Sequence, residues 1–228
     1  MTNDKPLIEF LSQFVSDHKK ELMEKILADR TRCLTVVLED IFQSQNASAI
    51  IRTSECFGIQ DAHIIESRSK YGTNLKVLKG SHYWVNIIKY KFKKDEGPQA
   101  AFDNLKKAGY KILVTSVSPE SQSIFDINPL EYGKIALVLG NELHGASSVA
   151  TKNADGFVHI PMVGFTESLN VSVSAAICTS TLVNKIRASE TGWRLSEAEK
   201  DELRLIWVRS MVRRSDLLEK NFREKNKE

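Results

Sequence analysis

The apolar residues of this chain change their spacing several times, and these changes predict its secondary structure. Near the N-terminus they recur at roughly helical intervals with lysines between them, which predicts an amphipathic helical arm over residues 5–29. From Leu34 to Leu38 the sequence is apolar and β-branched without alternation, the pattern of a strand that is covered on both faces. Glu39 and Asp40 end this strand.

Strands and helices then alternate along the chain. One helix is predicted from Asn46 to Phe57, with Gly58 as its C-terminal stop, and another from Pro98 to Ala108. Further strands are predicted at Ala62–Ile65, Val85–Tyr90, Lys111–Val117 and Lys134–Leu139. This alternation predicts an α/β domain with a mostly parallel sheet and helices on both faces.

Three polar turns accompany these predicted elements, namely EDIFQSQN at residues 39–46, GNELHG at 140–145 and PMVGFTES at 161–168. Ligands of parallel sheets bind beyond the carboxyl ends of the strands, so the three turns are candidates for one shared site. In the third turn Gly164 permits close backbone approach, and Ser168 can cap the helix that follows.

After Ala188 the apolar residues return to helical spacing and predict a second helical arm, marked by Trp193, Leu195, Leu203, Ile206, Trp207, Val208 and Met211. The last residues, NFREKNKE, are expected to fray. The predicted organisation is an N-terminal helical arm at residues 1–30, a main domain at 31–188 and a C-terminal helical arm at 189–228.

The composition is that of an ordinary globular protein, with 42% hydrophobic and 27% charged residues. A net charge of +3 is too small for nucleic-acid binding by bulk charge, so any RNA contact must come from local patches. The three cysteines are far apart, which favours buried thiols in a reducing compartment. No stretch approaches the roughly 20 apolar residues that cross a bilayer, and the N-terminus lacks a signal-peptide pattern. The expected location is the cytoplasm, with no membrane partner.

Several common kinds of site have no counterpart in the sequence. No G-x-G-x-x-G follows the first strand, no Walker phosphate loop occurs, and Ser-His-Asp chemistry lacks a nucleophile elbow. The five histidines are scattered and no His or Cys cluster is present, so no metal site is expected.

Single residues of the polar turns remain ambiguous. Asn46 at a helix start can be a cap, and Arg52 about two turns later can be a solvated or ion-paired side chain. Asn141 and Glu142 can likewise be polar groups that cap a loop. The residue types alone leave these alternatives open.

Taken together, the three turns resemble the motifs of the SpoU/TrmH group of the SPOUT RNA methyltransferases, over about Leu34 to Arg187. The first motif is matched by Asn46, Ser48 and Arg52. The second is matched by Gly140, Asn141, Glu142 and Gly145, and the third by Pro161, Met162, Gly164, Ser168, Leu169, Asn170 and Ser172.

The resemblance implies a fold and a cofactor that residue spacing does not show. The C-terminal part of the α/β domain would be threaded into a deep trefoil knot, the SPOUT fold. The enzyme would be a homodimer with residues of both subunits near each site. The cofactor would be S-adenosylmethionine, bound by Leu139, Gly140, Asn141, Ile160, Pro161, Met162, Gly164, Ser168 and Leu169.

The resemblance also implies methyl transfer to a ribose 2'-hydroxyl, with Arg52, Asn46, Glu142 and Asn170 as the catalytic residues. The group assigns activation of the hydroxyl to Arg52. Because an arginine guanidinium is effectively always protonated, we expect Arg52 to bind the adjacent phosphate and stabilise the developing alkoxide. The other three residues would orient Arg52, the target ribose and the knot loops.

The two arms resemble those of the branch that methylates the D-loop guanosine of tRNA at position 18, so tRNA is the expected partner. The residues expected to contact its phosphates are Lys19, Lys20, Lys25, Arg30, Arg32, Arg187, Arg194, Arg209, Arg213 and Arg214. Gln45 stands where several tRNA-modifying members have histidine, which bears on substrate handling. Two alternatives remain: the same chemistry on ribosomal RNA, and a knotted RNA-binding module without catalysis.

Overall fold

The computed structural model describes residues 4–67, 71–72, 74–91, 98–189 and 192–226. The described chain divides into two compact units. The first, which we call the sheet unit, is the described part of Thr31–Trp193. The second, the helical unit, combines the described parts of Met1–Arg30 and Arg194–Glu228. The division into three functional segments remains a prediction.

The sheet unit is built on one parallel sheet with the strand order β3-β2-β1-β6-β4-β7-β5. Its strands are β1 (Leu34–Glu39), β2 (Asp61–Glu66), β3 (Asn86–Lys91), β4 (Tyr110–Thr115), β5 (Gln122–Ser123), β6 (Lys134–Leu139) and β7 (Gly156–His159). All residues of β1 are buried, as the unbroken apolar run predicts. The predicted parallel α/β sheet is therefore confirmed, while the trefoil knot remains a prediction.

The α-helices follow the chain in an order that interleaves them with the strands. They are α1 (Lys5–Ser12), α2 (Asp17–Ala28), α3 (Ser44–Cys56), α4 (Leu75–Leu78), α5 (Gln99–Lys107), α6 (Ser148–Asn153), α7 (Val171–Ala188), α8 (Glu197–Met211) and α9 (Ser215–Lys225). Short 3-10 helices occur at Ser81–Tyr83 and Pro129–Glu131.

Two apolar cores cover the two faces of the sheet. On one face α3 and α7 pack Ile50, Ile51 and Leu182 against alternate strand residues. On the other face α5 and α6 contribute Phe102 and Ala150. Since successive residues of a strand point to opposite faces, a sheet covered on both sides needs continuously apolar strands.

The strand order places a topological switch point between β1 and β6. From β1 the chain passes through α3 to β2 on one side, whereas from β6 it passes through α6 towards β7 on the other. Connections that diverge in this way leave a crevice beyond the carboxyl ends of the two strands, where ligands of such sheets bind. The turns at residues 39–46 and 140–145 both lie at this crevice.

The N-terminal arm differs from its prediction, because it forms two helices rather than one. The chain leaves helical geometry after α1, and Ser16 in an extended conformation precedes α2. The buried residues of α2 are Met23 and Leu27, whereas Leu22 and Ile26 are exposed. The apolar stripe therefore shifts at the break, so a single helical period does not describe the arm.

The C-terminal arm also differs from its prediction. Trp193 precedes the helix and packs in the core of the sheet unit, and α8 begins only after Ser196. Ser196 and Glu199 form a capping box, which fixes that start. The expected fraying from Asn221 is wrong up to Lys225, since α9 continues to that residue. Glu219, paired with Arg209 and Arg223, supports the last turns.

Candidate active site

One hydrogen-bond chain at the switch point joins the first two polar turns to Asn170, two residues after the third turn. Asn46 Nδ2 donates to Glu142 Oε1 at 2.9 Å. The backbone N–H groups of Phe42 and Gln43 donate to the same carboxylate at 3.0 and 3.3 Å. Asn170 Nδ2 in turn donates to Asn46 Oδ1 at 3.1 Å. The fold therefore brings together three of the predicted catalytic residues, Asn46, Glu142 and Asn170.

The chemistry of these groups determines which of them donates and which accepts in each hydrogen bond. An ionised carboxylate only accepts, so Asn46 must turn its amide nitrogen to Glu142 and its oxygen to Asn170. Asn170 then presents its own oxygen to α7, where Oδ1 accepts from the backbone N–H of Ser172 at 2.8 Å. Asn170 is therefore the N-cap of α7, and the prediction that Ser168 caps this helix is wrong.

Opposing effects act on the pKa of Glu142. Partial burial raises it, but hydrogen bonds from Asn46 and from the backbone of Phe42 and Gln43 together lower it below its ordinary value. Glu142 is therefore a carboxylate at neutral pH, with both oxygens engaged as acceptors. This arrangement suits a residue that positions its neighbours.

The turn after β6 is held at both ends by the end of β1. Asn141 Nδ2 donates to the backbone oxygen of Asp40 at 2.7 Å. Ser147, at the far end of the turn, donates its backbone N–H to Glu39 Oε2 at 2.8 Å and its hydroxyl to Glu39 Oε1 at 2.6 Å. Glu39 is only 2% exposed. Sequence reasoning used Glu39 only as a strand end, and missed this role.

Gly140 of the second motif and Gly164 of the third differ in how closely other atoms approach them. A Cβ on Gly140 would lie 2.3 Å from both Ala146 N and Gly145 C, inside any real contact distance. A Cβ on Gly164 would meet only Thr166 N, at 4.0 Å. Close backbone approach therefore explains Gly140, while nothing among the described residues requires the small size of Gly164.

A cavity of about 870 Å³ opens at the same edge of the sheet. Asn46, Glu142 and Asn170 line it. So do most of the residues predicted to bind a cofactor: Leu139, Gly140, Asn141, Ile160, Met162, Ser168 and Leu169. Pro161 and Gly164 do not line it, although both belong to the exposed segment that runs from residue 161 to 170.

Arg52 lies apart from this constellation. It is exposed on α3, it does not line the cavity, and within the described part of the chain it forms no hydrogen bond or ion pair. We expected Asn170 to partner Arg52, but its partner is Asn46. Arg52 lies six positions after Asn46 in α3. Because an α-helix turns by about 100° per residue, the two side chains point to different faces, and Arg52 is directed away from the hydrogen-bond chain.

Several cations predicted to contact RNA have internal partners instead. The guanidinium of Arg30 lies 5.3 Å from the ring centre of Trp207, and the residue is 1% exposed, so its predicted phosphate contact is wrong. Arg32 pairs with Asp61 at 3.0 Å. Lys20 and Arg209 form ion pairs with Asp17 and Glu219, and Arg187 donates to the backbone oxygen of Phe57 and lies over Trp193. The exposed members of the set are Lys19, Lys25, Arg194, Arg213 and Arg214.

The sequence interpretation missed one wall of the cavity. Residues 114–118 at the end of β4, together with Glu120, also line it. We predicted that this strand continues to Val117, but β4 ends at Thr115 and the residues beyond it face the cavity. The rule that ligands lie beyond the carboxyl ends of parallel strands is a signal that could have found them.

Two features are absent from the described residues. Among them, no group of three or more His, Cys, Asp or Glu side chains could hold a metal ion. No helix in the same part of the chain is both long and apolar enough to span a membrane.

Comparison with known proteins agrees with this geometry. Residues 33–180 match the SpoU rRNA Methylase family. The tRNA (guanosine(18)-2'-O)-methyltransferase of Borreliella burgdorferi is 44% identical over 212 residues, which cover 93% of this chain and 94% of that protein. The enzyme of the same name from Thermus thermophilus is 32% identical over 163 residues, covering 71% and 80% of the two chains.

Among solved structures, the TrmH/SpoU tRNA modifying enzyme of A. aeolicus has a TM-score of 0.75 at 28% identity, covering 87% of this chain and 98% of that one. The family match at residues 33–180 contains the whole of the hydrogen-bond chain and every described residue that lines the cavity. The motif resemblance seen in the sequence is thus confirmed, and this chain belongs to the SpoU rRNA methylase family.

Proposed function

We propose that this protein transfers a methyl group from S-adenosylmethionine to a ribose 2'-hydroxyl of tRNA, at the D-loop guanosine at position 18. The observation that carries the proposal is the cavity at the switch point, which the hydrogen-bonded residues Asn46, Glu142 and Asn170 border. The names of the Borreliella and Thermus relatives support tRNA and position 18 as the substrate.

The cavity fits the methyl donor in size and charge. Its volume of about 870 Å³ lies in the range of small-molecule sites, roughly 300–1,000 Å³. Of the described residues that line it, three are glutamates and none is lysine or arginine, which suits a ligand with a net positive charge. Leu139, Gly140, Asn141, Ile160, Met162, Ser168 and Leu169 would hold it. S-adenosylmethionine supplies an electrophilic methyl group on its sulfonium sulfur.

The residues of this chain would bind and align the RNA. Arg52 carries a permanent positive charge, so it would bind the phosphate beside the target ribose and stabilise the developing alkoxide. Glu142 is fully engaged as an acceptor and would hold Asn46 in place rather than remove a proton. Asn170 would fix the start of α7 and with it the segment that borders the donor.

We also propose that the active form is a cytoplasmic homodimer. Each of the three polar turns exposes a large apolar side chain: Phe42 by 70%, Leu143 by 80% and Phe165 by 109%. Exposed apolar clusters of this kind mark protein interfaces. A second copy would bring residues of both subunits to each site, which would account for Arg52 lying outside the cavity of its own chain. Sedimentation at micromolar concentration should give twice the mass of the chain, and a monomer would contradict this proposal.

Arg52→Ala tests the catalytic assignment. We expect the variant to lose methyl transfer while its affinity for S-adenosylmethionine, measured by calorimetry, stays close to that of the wild type. Lys107→Ala removes an exposed cation of α5 that is not among the predicted RNA contacts, and serves as the charge-matched control for turnover. Near-normal transfer by Arg52→Ala would contradict the assignment.

The alternatives make different predictions in the same assays. A non-catalytic RNA-binding module would show no heat of binding with S-adenosylmethionine. Methylation of ribosomal RNA is the second candidate, and the description of the matched family favours it. Supplying purified ribosomal RNA and tRNA in parallel reactions separates the two substrates.

A further inference from the structure

The segment from Leu75 to Trp84 packs on α3 one turn from Arg52. The backbone N–H of Asn74 donates to Ser48 Oγ at 3.0 Å, and Ser48 is completely buried. Residues four apart on a helix are neighbours on its surface, so the next side chain along this face of α3 is Arg52. The segment contains α4 and the 3-10 helix Ser81–Tyr83, and it packs on α3, the helix that carries the predicted catalytic arginine one turn beyond Ser48.

The charged groups of the 75–84 segment are cations without internal partners. Lys76 and Lys79 are exposed, and within the described part of the chain neither ammonium group forms an ion pair or a hydrogen bond. The segment contains no aspartate or glutamate. Arg204 and Arg209 of the helical unit, by contrast, are held by carboxylates. Lys76 and Lys79 are thus available to an anionic partner.

The same segment exposes an aromatic ring. Tyr83 is 57% exposed, and its ring centre lies 4.2 Å from that of His82 and 6.4 Å from that of Trp84. Neighbouring rings restrict how Tyr83 can turn, so its free surface is presented in a defined direction. Exposed aromatic rings beside cations are what proteins use to stack unpaired bases while holding the neighbouring phosphates.

The backbone at Lys79 takes the left-handed conformation that ends α4. Lys79 has φ 45° and ψ 38°, which residues with a Cβ rarely adopt. Asparagine or glycine would relieve the strain at this position. Replacing Lys79 by asparagine therefore removes its charge without disturbing the turn.

We propose that the 75–84 segment is an RNA-docking surface, where Lys76 and Lys79 bind phosphates and Tyr83 stacks an unpaired base of the same RNA that Arg52 contacts. The inference rests on the proposed function, since it names the surface that brings the RNA to this site. The 75–84 segment of the sheet unit is thereby added to the predicted RNA contacts.

The charge test uses the double variant Lys76→Gln with Lys79→Asn, and an unmodified tRNA transcript as the probe. Its matched control is Lys107→Gln with Lys152→Gln, two exposed lysines on α5 and α6, which cover the opposite face of the sheet. Filter binding at several salt concentrations gives the slope of log Kd against log salt. The slope should fall by about one for each phosphate that the first variant fails to bind, and it should stay unchanged in the control.

The stacking test compares Tyr83→Ala with Tyr83→Phe, which keeps the ring. Loss of one stacked base should weaken tRNA binding on the order of fivefold or more in the alanine variant and leave the phenylalanine variant close to wild type. Lys79→Asn alone gives a separate check. It should keep or raise the melting temperature, because it relieves the strained backbone, and still weaken tRNA binding.

The outcomes separate this inference from the proposed function. An unchanged salt slope in the lysine variant, or wild-type affinity in Tyr83→Ala, overturns the docking surface even if the protein methylates tRNA. Conversely, a wild-type protein that transfers no methyl group refutes the proposed function, while the slope measurement still decides the docking surface because binding needs no turnover.

Discussion

Replacing Gly140 by alanine should distort the cavity and weaken donor binding at least tenfold. The added Cβ would lie 2.3 Å from Ala146 N and Gly145 C and 2.6 Å from Gly145 O, so the turn must retreat by at least 0.7 Å to reach the 3.0 Å below which real contacts are not seen. The atoms in conflict are backbone, which cannot rotate away. Overpacking of this kind costs about 1–3 kcal/mol. A displacement near 1 Å in a catalytic site can lower the rate by about 100-fold.

Gly164→Ala is the matched control, since the same change in the third motif meets no atom closer than 4.0 Å. Calorimetry with S-adenosylmethionine and thermal melting of the two variants provide the comparison. We expect Gly140→Ala to melt at a lower temperature and bind the donor at least tenfold more weakly, and Gly164→Ala to match the wild type in melting. Wild-type donor affinity in Gly140→Ala would refute the steric argument.

The remaining predictions concern the groups around the switch point and one buried histidine. Asn46→Asp places a second carboxylate where the amide donates to Glu142 at 2.9 Å, so it should lower the free energy of unfolding by about 1–3 kcal/mol in urea titrations; an unchanged midpoint would argue against the hydrogen-bond chain. Glu39→Ala leaves the backbone N–H of Ser147 without its acceptor. It should weaken binding of S-adenosylmethionine more than Glu39→Gln, which retains one acceptor oxygen. Equal affinities in the two variants would show that the hydrogen bonds between Glu39 and Ser147 are not needed for binding. Burial lowers the pKa of His63 from 6.5 to about 4, against a smaller upward effect of Asp61, so the folded protein should lose stability as the pH falls from 6.5 to 4, by up to about 3 kcal/mol. Acid titration of His63→Phe should lack this loss, and an identical acid profile in the variant and the wild type would rule it out.

Local patterns in the sequence were enough to predict most of the strands and helices of the sheet unit. The run from Leu34 to Leu38 predicts a strand buried on both faces, and it forms β1. The apolar spacing after Asn46 predicts α3, and Gly58 adopts the expected positive φ after its end. These features depend on neighbours in the sequence, so periodicity and turn chemistry determine them.

Features that depend on distant contacts could not be predicted in this way. The hydrogen bond from Asn170 to Asn46 joins residues that are 124 positions apart, and no spacing rule states which of the polar residues in a turn will meet. The same holds for Gly140 and Gly164, which look equivalent in the sequence but differ in the backbone that approaches them. Trp193 has an apolar side chain that suits a helix as well as the core it joins.

The RNA-contact prediction was weakest, because charge alone does not reveal which cations have partners. Arg30 and Arg209 resemble solvated helix residues in the sequence, yet one is buried against Trp207 and the other is paired with Glu219. The family resemblance, by contrast, located the motif residues that surround the cavity, since it carries information about distant contacts that a single sequence does not.

Mapping the methylated nucleotide is the direct test of methyl transfer to guanosine 18 of tRNA. The wild-type protein is incubated with S-adenosylmethionine, total tRNA and ribosomal RNA that lack the modification, and nuclease fragments are analysed by mass spectrometry. We predict one new 2'-O-methylguanosine at position 18 in the D-loop of tRNA. A parallel reaction with Arg52→Ala should not produce it. A new methyl group only in ribosomal RNA, or none in either RNA, would contradict it.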